Sequence, residues 1–316
     1  MKQLIAILSV FVLASCMKDE IPVPAHTAGN SINNSINLGT DYRHMAYYDF
    51  VTNSFVKQHE KTDWDLGFES SATGFHIILN TSKSMAASEM EGQLFAAIAD
   101  TSGTNWKYDV SSGNLDSTAI GEWYNTSEVY VLDRGYSFDG THQGFRKIEF
   151  EQIGTDEYEI HYAELDGSNE QTHTIQKNPT HNFTFFSFET NATASIEPPK
   201  DEWDIVFGQY SHLFDPTFPY LVTGVISNRN GVEVAEVFDK SFEEIAFSDV
   251  ANYPFSSDID IIGYDWKEFV GASYIIDLHK NYIVKTTEGL YYKIHFIDFY
   301  SDLGDKGNPV FEVGAL

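Results

Sequence analysis

Apolar and polar residues alternate with a period of two along much of the chain, which is the pattern of half-buried β-strands. The segments 145–153 and 158–165 flank Gly154 and predict a β-hairpin. Aromatic and aliphatic residues alternate in the same way from Tyr291 to Tyr300. Only residues 85–97 place apolar side chains at roughly helical spacing, and they predict the one helix. The pattern therefore predicts an all-β protein of antiparallel sheets with few short helices.

One compound motif occurs twice. Residues 48–53 and 186–191 share an aromatic residue, a Phe two positions on and a Thr-Asn pair. After a polar linker of similar length, residues 63–68 and 202–207 share an acidic residue, Trp-Asp, an aliphatic residue and a Phe. So long a shared pattern indicates an internal duplication. We expect two related β-units, because a solenoid needs at least three stacked repeats.

The Trp-Asp segments are predicted strands with opposite faces. Period-two alternation places Trp64, Leu66 and Phe68 on one face and Asp65 on the other. The second copy repeats this with Asp204 on the opposite face. We interpret the tryptophans as core residues, since large aromatic side chains prefer burial. The alternative is that the two aspartates form an acid/base pair.

Charge and cysteine content restrict the function. The 316 residues carry a formal net charge of −28, which argues against binding nucleic acid or anionic membrane surfaces. Cys16 is the only cysteine, so an intramolecular disulfide and a Cys-based metal site are both excluded. No nucleophile elbow, His-Glu-x-x-His motif or Gly-rich phosphate loop occurs.

The N-terminus predicts a lipoprotein. Lys2 precedes a short apolar run from Leu4 to Val12, as in a secretion signal. Leu13-Ala14-Ser15-Cys16 resembles the lipobox of bacterial lipoproteins, which implies that Cys16 is lipidated and becomes the mature N-terminus. Residues 17–20 resemble the signal that sends lipoproteins of the Bacteroidota to the cell surface. We therefore expect an outer-membrane lipoprotein exposed at the surface and held to the membrane by its lipid alone.

Four stretches of the chain together have the pattern of a known family. They are residues 62–68 with 78–80, residues 202–207, residues 220–225 with 230–232, and residues 299–311. These stretches resemble the HmuY-like family, the haem-binding surface lipoproteins (haemophores) of the Bacteroidota. The resemblance implies an all-β fold, no enzymatic activity, and capture of haem for a TonB-dependent outer-membrane receptor.

The resemblance and the duplication together suggest a division of the chain. We predict a signal peptide at 1–15 and a lipidated cysteine with a flexible tether at 16–41. A first HmuY-like unit then spans 42–180 and a second spans 181–316. Typical haem-binding members are shorter, so residues 100–180 are expected to contain an insertion.

Haem binding requires axial ligands and an apolar cleft. A carrier that avoids oxygen chemistry holds the iron between two His or Met side chains. His76 and His212 follow the two Trp-Asp strands and are the predicted iron ligands, with Met85 as a soft alternative. Tyr210 and Phe214 flank His212 and are predicted to line the cleft.

A haem site also needs partners for the propionates, and two functions other than haem binding fit the same sequence. Arg43, Lys83 and Arg229 are candidate partners for the haem propionates, although the acidic chain repels them at long range. The first alternative is a surface lipoprotein that uses the same scaffold to bind a glycan, a peptide or a partner protein without haem. The second is a carbohydrate-active hydrolase, which would require two carboxylates about 5–10 Å apart in a cleft.

Overall fold

The computed structural model describes residues 30–215 and 218–316. Every strand pairing in this part of the chain is antiparallel, and the helical segments are short 3-10 turns, so the predicted fold class is confirmed. No helix among these residues is long and apolar enough to cross a membrane. The predicted signal peptide and Cys16 lie outside the described residues.

Twenty strands account for the architecture of the described chain. They are β1 (Ile32–Ser35), β2 (His44–Asp49), β3 (Ser54–Glu60), β4 (Leu66–Glu69), β5 (Ile77–Leu79), β6 (Ala86–Glu89), β7 (Tyr130–Asp133), β8 (Phe145–Ile153), β9 (Glu157–Ala163), β10 (Gln171–Gln176), β11 (Phe183–Ser187), β12 (Ala192–Ala194), β13 (Ile205–Asp215), β14 (Phe218–Ser227), β15 (Glu233–Val237), β16 (Lys267–Val270), β17 (Ser273–Ile276), β18 (Asn281–Lys285), β19 (Tyr291–Tyr300) and β20 (Lys306–Ala315). The 3-10 turns are Thr81–Lys83, Phe95–Ala97, Leu115–Ser117, Trp123–Asn125, Phe242–Glu244 and Phe247–Asn252. The predicted hairpin around Gly154 is β8–β9.

The strands form two β-sandwiches of the same design. The first sandwich packs the sheet β10-β9-β8-β7-β6 on the sheet β12-β11-β4-β5. The second sandwich packs β1-β20-β19-β18-β15 on β14-β13-β2-β3. Each core is filled by inward-facing aliphatic and aromatic side chains, which β-strands accommodate well. A separate hairpin, β16–β17, is attached to the second sandwich.

Each sandwich contains strands from both copies of the sequence motif. The hairpin β2–β3 precedes the first Trp-Asp segment, yet β2 pairs with β13. The hairpin β11–β12 precedes the second, yet β11 pairs with β4. The N-terminal strand β1 covers the edge of β20 just as β10 covers the edge of β9. Residues 100–180, suggested as an insertion, supply strands β7–β10, which are four of the five strands in one sheet of the first sandwich.

The tryptophans lie on the opposite face from the one that alternation predicts. Leu66 and Phe68 fill the core of the first sandwich, but Trp64 packs against Phe185 on its outer side. Trp203 likewise packs on the outer side of the second sandwich. The strands begin only after each Trp-Asp pair, so period-two alternation does not extend back to the tryptophan.

The two aspartates hold each sandwich together from inside. Asp65 is fully buried, contacts Lys83 and Arg134, and accepts the Phe188 N–H at 2.7 Å. Asp204 has no such cation and accepts two backbone N–H groups, from Phe50 at 2.9 Å and Thr287 at 3.2 Å. Each carboxylate belongs to a different core, so the two do not form the acid/base pair considered from the sequence.

The helix predicted at residues 85–97 is wrong. Residues Ala86–Glu89 form strand β6, which pairs with β7, and only Phe95–Ala97 make a 3-10 turn. Met85 and Ala87 face the core of the first sandwich, whereas Met90 belongs to a separate cluster with Val131. Apolar residues spaced two and four apart fit a strand as well as a helix, so a run this short is ambiguous.

Candidate functional site

The β13–β14 hairpin carries an exposed aromatic cluster. The ring of His212 lies 5.1 Å from the rings of Phe214 and Tyr264, centroid to centroid. Phe214 in turn lies 6.3 Å from Phe218 and 6.2 Å from Tyr220. Phe214, Phe218 and Tyr220 are each more than half exposed. We call these five residues the aromatic platform.

His212 lies close to a carboxylate. Its Nδ1 is 3.4 Å from Oδ2 of Asp260 but is buried without a hydrogen bond, and burial raises the pKa of that carboxyl group although His212 opposes the rise. In metal-bound histidines a nearby carboxylate commonly pairs with the ring nitrogen that does not bind the metal. The neighbouring Leu213 N–H donates to Ser111 of the first sandwich at 2.7 Å.

His76 has a similar environment in the first sandwich. Its Nδ1 is 2.5 Å from Oε2 of Glu69, and its Nε2 is 3.6 Å from Oδ1 of Asp116. Burial alone would raise the pKa of Glu69, but hydrogen bonds from Ser71 and His76 lower it below its usual value. The contacts of His76 and His212 have no residue in common. Across residues 30–215 and 218–316, no three His, Cys, Asp or Glu side chains are grouped to hold a metal ion.

The other predicted site residues are distributed across the molecule. Phe214, which the sequence suggests as a cleft residue, belongs to the exposed platform. Tyr210 is buried, its hydroxyl has no hydrogen-bond partner, and burial raises its pKa. Met85 is packed in the core of the first sandwich, whereas the β13–β14 hairpin of the platform belongs to the second sandwich.

The three cations suggested for the propionates already have partners. Arg43 pairs with Asp41 at 2.6 Å and lies over the ring of Phe138. Lys83 is fully buried against Asp65. Arg229 donates to the carbonyl of Gly113 and lies over the Phe183 ring. Each of these side chains makes its contacts inside a sandwich or between the two sandwiches.

A cavity lies between the outer faces of the two sandwiches, and the sequence did not reveal it. Its volume is about 130 Å³. Trp64 meets Phe185 edge-on at 4.7 Å on one side, and Trp203 meets Tyr47 edge-on at 4.8 Å on the other. Ile78, Val206 and Ile226 complete the apolar wall. We call this the inter-sandwich cavity.

Hydrogen bonds around the cavity join the two sandwiches. Lys61 Nζ donates to Gln209 Oε1 at 2.7 Å, and Ser211 Oγ donates to the Thr81 carbonyl at 2.8 Å. Near the far end, Asn182 Nδ2 donates to an Asn228 side chain at 2.9 Å. Such buried bonds are costly to leave unmade, so they favour one closed arrangement of the two units.

Comparison with known families decides which family this is. A model of the HmuY protein family matches residues 41–180 and again residues 179–313. The chain belongs to the HmuY family. The resemblance noted in the sequence is thereby confirmed, and the family match occurs once for each copy of the duplicated motif.

Two solved structures of low sequence identity are similar to this chain. Apo PinO from Porphyromonas gingivitis is 9% identical, and the match covers 91% of this chain and 98% of that one with a TM-score of 0.31. The apo HmuY analog (TFO) from Tannerella forsythia is 12% identical, with 92% and 98% covered and a TM-score of 0.30. No curated protein sequence matches the chain.

Proposed function

We propose that this protein is a non-enzymatic haem-binding surface lipoprotein that holds haem on the aromatic platform. The observation that supports this best is the placement of His212, which lies close to the Asp260 carboxylate, among exposed aromatic rings in a member of the HmuY family. Lipidation of Cys16 would anchor the molecule, and a TonB-dependent outer-membrane receptor would take the haem from it.

The platform supplies the groups that a porphyrin needs. His212 would bind the iron through Nε2 because Asp260 faces its Nδ1. Phe214 and Tyr264 would contact the flat macrocycle, since aromatic rings stack well on each other. With Arg43, Lys83 and Arg229 engaged elsewhere, the propionates would extend to solvent or to the tyrosine hydroxyls.

His76 remains the proposed second ligand. Its Nδ1 is hydrogen-bonded to Glu69, which is a closer contact than the one between His212 and Asp260. Its Nε2 faces Asp116, whose side chain is largely exposed and is free to move aside. The two histidines belong to different sandwiches, so ligation by both would join the units through the iron. Met85 and Tyr210, which are both buried, are secondary proposals for contacts with the haem.

Haem titration tests the proposal. Ferric haem added to the mature domain is expected to give a shifted Soret band, and His212→Ala is expected to weaken binding at least tenfold. His161→Ala is a matched control, because His161 is also bound by carboxylates, Glu149 and Glu170, but lies away from the platform. A Soret shift that survives both His212→Ala and Phe214→Ala would refute the platform, and no shift at micromolar haem would refute haem binding.

The exposed rings also favour a second function, binding of a glycan or a peptide without haem. Asp260 and Asp265 lie near the platform, and these carboxylates disfavour an anionic macrocycle, whereas flat aromatic rings suit neutral sugar faces. A glycan array bound by the wild type and lost in Phe214→Ala, with an unchanged haem spectrum, would establish this function in place of haem binding.

A further inference from the structure

The inter-sandwich cavity contains polar groups as well as its apolar wall. His59 Nε2, Trp203 Nε1 and the Tyr210 hydroxyl are buried without a hydrogen-bond partner, and all three residues line the cavity. Buried polar groups in folded proteins are nearly always paired, so an unpaired cluster in one place indicates a ligand or ordered solvent.

The tautomer of His59 makes its Nε2 atom a hydrogen-bond acceptor. Its Nδ1 lies 2.8 Å from the carbonyl oxygen of Glu60, so Nδ1 carries the proton and Nε2 carries the lone pair. Burial lowers the pKa of His59 to about 4, so the ring is neutral at pH 7. His59 and Trp203 both contact the ring of Tyr47, with centroid distances of 5.8 Å and 4.8 Å. An acceptor and an N–H donor therefore both lie next to one aromatic ring in the wall of the cavity.

We propose that the inter-sandwich cavity is a second binding site, separate from the platform, for a neutral single-ring molecule of the phenol class. Its hydroxyl would donate to His59 Nε2 and accept from Trp203 Nε1–H. Its ring would lie among the side chains of Trp64, Phe185 and Ile78, which form the apolar part of the wall.

Size and charge select this ligand class. The volume of about 130 Å³ is close to that of an engineered cavity of about 150 Å³ that holds benzene, and far below the size of a macrocycle. Asp109 and Glu197 line the cavity, and the lining cation Arg229 already donates to the Gly113 carbonyl. Because the whole chain is also acidic, an anionic ring is disfavoured. A neutral hydroxyl can satisfy both an acceptor and a donor without burying a charge.

Phenol and toluene distinguish a polar site from a merely apolar one. They have nearly the same shape, and an apolar cavity prefers toluene because phenol must give up hydrogen bonds to water. We expect calorimetric titration of the wild-type chain to show phenol binding at least threefold more tightly than toluene. Equal or tighter toluene binding, or no phenol binding at millimolar concentration, would overturn the proposal and leave ordered water as the partner of these groups.

Two variants and a matched control locate the hydrogen bonds. Trp203→Phe and His59→Leu each remove one polar atom but keep apolar bulk, so each is expected to weaken phenol binding about threefold to tenfold. Trp106→Phe alters a tryptophan that packs on a separate cluster and does not line the cavity, so it should leave the phenol-to-toluene ratio unchanged. Toluene binding reports whether the cavity is intact in each variant. A ratio that Trp203→Phe and His59→Leu leave unchanged would contradict the proposal.

Discussion

Substituting the two corresponding aspartates should have very different effects. Asp65→Asn leaves Lys83 and Arg134 buried without a countercharge, and breaking a buried ion pair in this way costs about 3–5 kcal/mol. Asp204→Asn removes a carboxylate that is bonded only to backbone N–H groups, and the amide oxygen can still accept one of them. The lost hydrogen bond should cost about 1 kcal/mol, the usual net value. Removal of the buried charge offsets this cost at pH 7, so the loss should be far smaller than that of Asp65→Asn.

The pH dependence of the two variants sharpens the contrast. Burial raises the pKa of Asp204 from 3.8 to about 7 in the fold. The folded state therefore binds more protons than the unfolded state between these values, and stability falls as the pH rises through this window. A shift of about three units corresponds to roughly 4 kcal/mol. Burial opposes ionisation of Asp65, but the nearby Lys83 and Arg134 lower its pKa below the usual value. The stability that the ionised Asp65 gives to the fold is therefore lost only when the pH falls through that lowered pKa.

Urea unfolding monitored by tryptophan fluorescence measures both effects. At pH 7 the midpoint of Asp65→Asn should fall several times further than that of Asp204→Asn. Between pH 5 and pH 8 the wild type should lose stability, and Asp204→Asn should lose less of it. Adding Lys83→Met to Asp65→Asn should restore part of the loss, since one unpaired charge is then removed. Equal losses in the two single variants at pH 7 would refute the assignment of the ion cluster.

Three further outcomes are expected. Glu197→Gln should flatten the decline in stability from pH 5 to pH 8, because burial raises the pKa of Glu197 to about 7, and urea midpoints across this range check it. Lys267→Met should stabilise the protein most below pH 7. Burial lowers the pKa of Lys267 to about 7, so below that pH the wild type holds a charged ammonium group in its interior. Thermal melts at pH 6 and pH 9 check this, and an equal gain in melting temperature at both would contradict it. Cys16→Ala should release the protein from the membrane fraction, which fractionation and immunoblotting would show, and full retention would exclude the lipid anchor.

The sequence was sufficient for the fold class but not for the arrangement of the strands. Alternation predicts strands because it reflects which side chains are buried, and the repeated Trp-Asp motif predicts duplication. Neither states which strand pairs with which, so the pairing of β2 with β13 and of β11 with β4 was not foreseen. The side of the sheet on which Trp64 packs depends on where strand β4 begins, and β4 begins only after the buried Asp65.

Part of the candidate site followed from the sequence for a physical reason. His212 and Phe214 are two residues apart in the sequence, so they are neighbours in space on strand β13, although the register of that strand shifts between Leu213 and Asp215. His59 was missed because its role depends on contact between two sandwiches that are remote in sequence. An alternating strand with a histidine beside the repeated motif was the only available signal, and eleven histidines in the chain made it unspecific.

The hairpins β2–β3 and β11–β12 each pair with strands of the other sequence repeat, which determines where the chain can be cut into separate sandwiches. A gene fragment that ends at the boundary of the sequence repeat, near residue 180, would encode β2–β3 without β13 and β4 without β11. Cuts between β3 and β4 and again between β12 and β13 would instead keep every strand of the first sandwich with its neighbours. The second sandwich would then have to be rebuilt by joining the original chain ends in a new order, as a circular permutant.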